Sequence, residues 1–86
     1  MNNLDFPNAV AYAFEAAGGI VASARLCQRS LQALNKWRQA AALPRTDYTG
    51  ETNYAERLAV AAKQNGHPFE VSWLLKESAP RRAKNQ

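Results

Sequence analysis

Gln32, Asn35, Lys36 and Gln39 recur at three- and four-residue spacing in LQALNKWRQA, residues 31–40. On an α-helix those positions share one face. Each carries a hydrogen-bonding amide or a positive charge. Leu34 and Trp37 fall on the opposite, inner side. An inner apolar stripe with an outer face of amides and bases is what a helix needs to read base edges in a DNA major groove. Covalent chemistry has much weaker support. Cys27 is the single cysteine, His67 is the single histidine, and no spacing assigns either a partner acid, base or metal co-ligand. The chain also lacks a Gly-rich phosphate loop and a recognisable triad, so an enzyme is not expected, nor a metal or other cofactor.

Such a face must be held by something. The stretch 19–37, GIVASARLCQRSLQALNKW, reads as two short helices joined by a tight turn. Ala24 is a small residue in the first, about 19–27. Ser30 can cap the second, about 30–39, by accepting from the free N–H groups of its first turn. Gly18-Gly19 leaves backbone N–H groups sterically open at the first helix's start, where a DNA phosphate would fit.

A helix over about 6–17 precedes this unit. Asp5 suits its cap and Pro7 its first turn, and Phe6, Val10, Ala13, Phe14 and Ala17 form one stripe. Pro44 ends the helix from Ser30. Residues 45–50, RTDYTG, read as a loop that touches the DNA backbone or packs on the core. A further helix spans about 52–64, with Asn53 and Glu56 at the spacing of a reciprocal cap and Thr52 as the alternative. Its inner face is Tyr54, Leu58, Ala61 and Ala62, and Asn65-Gly66 then Pro68 stop it. Phe69 to Leu75 alternates as a strand would and also repeats as a helix would. Pro68 and the lack of a partner strand favour a short helix. The expected fold is all-α: a compact bundle of four to five short helices over residues 1–78, followed by a basic tail, 79–86, without fixed structure.

Composition agrees. The 86 residues include seventeen alanines, which favour helix and give a thin core. Cys27 is expected to act as a small buried apolar residue. No apolar run approaches the ~20 residues of a membrane span, and MNNLDFP lacks the basic-then-apolar pattern of a secretory signal. A cytoplasmic protein is the expectation. The net charge is +4 and unevenly placed. Residues 29–48 carry +3 and residues 80–86 another +3, while the remainder is slightly acidic. Positive charge therefore gathers on the amide-bearing helix and the tail, as on a polyanion binder.

The run ALNKW after a serine-capped turn, preceded by a small-residue helix, resembles the helix-turn-helix of phage Cro-type repressors and the related YdaS-type regulators. Ala24, Ser30, Leu34 and Trp37 fall on that family's small, cap and two core positions, and the continuation KWRQAAALPR is similar too. The resemblance covers roughly residues 10–62. The turn position usually held by glycine is Gln28 in one alignment and Cys27 in another that lengthens the turn by one residue. What the resemblance implies is a lambda-repressor-like or Cro-like fold and a transcriptional regulator, most simply a phage or prophage repressor, on a pseudo-palindromic double-stranded operator. Leu31, Gln32, Asn35 and Lys36 would meet bases. Gln32 or Asn35 would pair with adenine, Lys36 would reach guanine or phosphate, and Leu31 would touch a thymine methyl. Gly19, Arg25, Arg29, Ser30, Arg38, Gln39 and Arg45 would hold the DNA backbone. No small-molecule ligand is expected. Phe69, Val71, Trp73, Leu74 and Leu75 are more apolar surface than one short helix buries in a thin core, and they suit a homodimer interface. The alternative reading is a small helical module that binds another protein through Trp73, Leu74 and Leu75.

Overall fold

Residues 6–79 are described by a computed structural model, and every regular element among them is a helix. In order these are α1 (Ala9–Ala16), α2 (Ile20–Cys27), α3 (Leu31–Ala40), α4 (Arg45–Thr49), α5 (Tyr54–Gln64) and α6 (Val71–Glu77). No single helix among the described residues is long and apolar enough to cross a membrane. The sequence-based cap Asp5 and most of the basic tail lie outside the described residues.

Asn8, in extended conformation, caps α1: its Oδ1 accepts from the Ala11 N–H at 2.9 Å. The helix therefore starts three residues later than its apolar pattern suggests. Val10, Ala13, Phe14 and Ala17 are buried along one side, as the spacing predicts. Gly18 and Gly19 then take φ of 113° and 103°, values that L side chains rarely adopt. They allow α2 to leave at 88° to α1. Ser23 locks the corner from inside: fully buried, its hydroxyl lies 2.8 Å from the Gly19 carbonyl and 3.3 Å from that of Phe14.

The core gathers Val10, Ala13, Phe14, Ala17, Ala24, Cys27, Leu34, Leu43, Ala55, Leu58, Ala61 and Leu74. α5 is central, packing on α1, α2 and α6, while α3 rests on α2 and α1. Cys27 is buried as expected. Burial pushes its thiol up from 9.0 to about 11, so it stays protonated and unreactive at neutral pH.

Two expectations for the chain's middle need correction. Residues 45–49 form a helix, not a loop. Their Tyr48 is committed to the interior: its hydroxyl accepts from the Leu43 N–H at 3.0 Å and donates to the Ser78 carbonyl at 2.8 Å. Neither Asn53 nor Thr52 supplies a side-chain cap to α5. Asn53 instead accepts from the Arg57 guanidinium at 3.1 Å. The cap comes from Asp47 on α4. Its buried carboxylate accepts from the N–H groups of Tyr54 (2.8 Å) and Ala55 (2.9 Å), and from the Thr52 hydroxyl (2.6 Å). A negative charge at a helix N-terminus also meets the positive end of the helix dipole.

The segment after Pro68 is a helix, α6, as favoured from sequence. Leu74 is fully buried within the single chain, so it belongs to the core and is not free for a partner. Phe69, Val71, Trp73 and Leu75 are half-buried and pack against the core's edge. Phe69 and Trp73 join Tyr12 and Phe6 in an aromatic cluster with centroid separations of 5.5–6.3 Å, edge-to-face around Tyr12 and tilted between Phe69 and Trp73.

Candidate nucleic-acid interface

α3 begins at Ser30, whose extended backbone and hydroxyl cap the first turn by accepting from the Ala33 N–H at 3.1 Å. The hydroxyl proton remains available to donate outward. The preceding turn is made by Gln28, which takes a left-handed φ of 57° and ψ of 43°. Gln28, not Cys27, is therefore the residue at the glycine-like turn position. Among non-glycine residues only Ala41, at the far end of α3, shares a positive φ within the described chain. Reversals of the backbone thus bracket α3 at both ends.

Leu34 is fully buried beneath α3, and Trp37 is half-buried. Trp37 was expected as core; it seals the edge of the core, with the Tyr54 ring 5.1 Å from its own. Two side chains from other helices fix α3 and its turn. Asn8 donates from Nδ2 to the Arg38 carbonyl at 3.0 Å, tying the start of α1 to the end of α3. Arg57 donates from α5 to the Leu26 carbonyl at 3.0 Å, satisfying an acceptor in the last turn of α2. Sequence reading did not assign Arg57 a role. Its partner, the Leu26 carbonyl, is thirty-one residues away, so no local spacing signals the contact.

Outward, Gln32, Lys36, Arg38 and Gln39 are exposed, and Leu31 is 45% exposed. Ser30, Gln32, Asn35, Lys36 and Gln39 line one shallow groove together with Arg29. Leu31, at the helix's start, lies outside this groove. Asn35 is half-buried, and its Oδ1 accepts from the Arg38 guanidinium one turn on at 2.7 Å. With the oxygen engaged, the free end of Asn35 is its amide donor. Arg25 and Arg45 are exposed on α2 and at the start of α4. Gly19 departs from expectation: its N–H donates to the Phe14 carbonyl at 2.8 Å and is not open to a phosphate. No side chain among the described residues caps that end of α2. The structure thus gathers the four base-reading candidates, with Arg29, Ser30, Arg38 and Gln39, on or beside α3. It leaves Arg25 and Arg45 on neighbouring elements.

The side chains exposed on this face of α3 are amides and cations. Among the described residues no group of three or more His, Cys, Asp or Glu side chains could hold a metal ion.

Over 39 residues the chain is 44% identical to the 8.4 kDa cro protein of Escherichia phage HK022. The match takes in 45% of this chain and 51% of that protein, so the chain spans about half the length of the curated relative it matches. The similarity supports the Cro-type resemblance carried by ALNKW and its continuation. No protein-family profile matches the chain. No solved structure matches it.

Proposed function

We propose that this protein is a sequence-specific DNA-binding transcriptional regulator of the Cro type, with α3 as its reading helix. The observation that carries this reading is the outer face of α3. Gln32, Lys36 and Gln39 are exposed on a helix capped by Ser30 and anchored from below by Leu34. The similarity to a phage Cro protein supports the same reading. Leu31, Gln32, Asn35 and Lys36 meet base edges; Arg25, Arg29, Ser30, Arg38, Gln39 and Arg45 meet phosphates. The donor end of Asn35 favours an acceptor on the base edge, such as N7 of a purine.

A gel shift with the DNA flanking its gene tests the reading. Gln32→Ala and Asn35→Ala should each weaken specific binding by about 1–3 kcal/mol and relax preference at one operator position. Their thermal midpoints should stay near that of the parent. Two variants that bind as tightly as the parent would remove α3 from the interface.

The assembly that suits a pseudo-palindromic site is a homodimer. The half-buried Phe69, Val71, Trp73 and Leu75 offer its surface, with Tyr12 and Phe6 continuing the patch. Trp73→Ala should then lower dimerisation and operator binding together, as sedimentation equilibrium and titration would report. A parent that stays monomeric at high concentration and binds DNA one-to-one contradicts the dimer. In the same reading Arg81, Arg82 and Lys84 add sequence-independent affinity through counterion release. Their deletion should flatten the salt dependence; an unchanged slope removes that role.

A further inference from the structure

We propose that Arg29 is a preset phosphate clamp at the head of α3, and that Tyr54 on α5 is the positioning residue that holds it. The inference rests on the DNA-binding reading above and adds a residue outside the reading helix. Arg29 lies between the left-handed Gln28 and the capping Ser30. It is exposed, yet its guanidinium is not loose. The guanidinium carbon sits 5.4 Å from the centre of the Trp37 ring and 6.0 Å from that of Tyr54. One of its nitrogens donates to the Tyr54 hydroxyl at 3.2 Å.

The platform beneath it is fixed. The Trp37 and Tyr54 rings lie 5.1 Å apart with 35° between their planes, and both pack against the core. A solvated arginine loses much rotamer freedom when it grips a ligand. Here the fold has already incurred much of that loss. Guanidinium has five N–H donors, and the Tyr54 hydroxyl occupies one. The others remain for an acceptor with two oxygens sharing one negative charge, such as a phosphodiester. Arg29 lines the same groove as Gln32, Asn35 and Lys36, so a phosphate held there sets the register of those side chains on the duplex.

The test uses two duplexes: one selected from a randomised library by the parent protein, and one of unselected sequence. Tyr54→Phe keeps the ring and removes the acceptor. It should leave the thermal midpoint near the parent's and weaken binding to both duplexes by about three- to tenfold, the usual reach of one hydrogen bond. Arg29→Ala should weaken binding more and lower the slope of log affinity against log salt by about one. Arg29→Lys should not restore parental affinity, because an ammonium lacks the planar fork. Adding Tyr54→Phe to Arg29→Ala should change nothing further. Losses that multiply in the double variant, or a Tyr54→Phe protein that binds as the parent does, would overturn the clamp while leaving the DNA-binding reading intact. A parent that binds neither duplex overturns both. Should Tyr54→Phe fold poorly, the exposed Arg29 variants still decide: a parental salt slope in Arg29→Ala rejects the clamp.

Discussion

Asp47→Ala should destabilise the folded chain by about 2–4 kcal/mol, although it removes a charged residue that touches no ligand. The cost arises because the Tyr54 and Ala55 N–H groups and the Thr52 hydroxyl lose their acceptor together. Ala55 is almost wholly buried, so water cannot freely replace the carboxylate there. Thr52 also joins Thr46 at 3.0 Å, so the loss spreads back into α4. Asp47→Asn should cost less, since its amide oxygen still accepts from one or two of the three donors. Urea denaturation followed by helical circular dichroism reads both. An Asp47→Ala protein within about 0.5 kcal/mol of the parent, the range of an ordinary surface substitution, would show that the cap is dispensable.

Phe14→Ala should cost more, roughly 3–5 kcal/mol. Five of the twelve residues in the central cluster are alanines, so few side chains fill large volumes there. Phe14 is 2% exposed. Its backbone carbonyl also receives the Gly19 N–H and lies within reach of the Ser23 hydroxyl at the α1–α2 corner. A cavity at Phe14 therefore opens beside the corner that sets α2. Small domains hold only about 5–15 kcal/mol in total. The variant should unfold at much lower urea, with an unchanged slope if unfolding stays two-state. A shift worth less than about 1 kcal/mol would mean that the surrounding helices collapse into the space.

These two residues also mark what the amino-acid order conveys and what it hides. Phe14 was legible, because α1 repeats its apolar residues every three or four positions and period alone points to a buried face. Ser30 was legible because a cap acts on N–H groups two or three residues ahead. Asp47 was not, because it caps a helix beginning seven residues later, from another helix. Local rules placed that duty on Asn53 and Thr52, which stand nearer. α4 was missed for a related reason. Five residues are too few to show a period, and Thr46, Thr49 and Gly50 carry turn chemistry. Leu74 was counted with its apolar neighbours, since only the packing of α6 on α5 and α1 separates it from them. The exposed side chains of α3 followed from helical spacing. The hold on Arg29 did not, because Tyr54 is twenty-five residues away.

The outer row of α3 has a consequence for heredity. Gln32, Lys36 and Gln39 are exposed and make no hydrogen bond to other described side chains or to distant backbone. Exposed positions without such ties tolerate exchange within about 0.5 kcal/mol. Codons 32, 36 and 39 are therefore free to drift one at a time while the scaffold stays folded. Asn35 differs only in that its oxygen accepts from the exposed Arg38 guanidinium, a surface contact whose loss costs little stability. Under the proposed function, a lineage carrying this chain can explore new targets by exchanging Gln32 or Lys36 singly, with Leu34 and Ser30 holding the helix in place throughout.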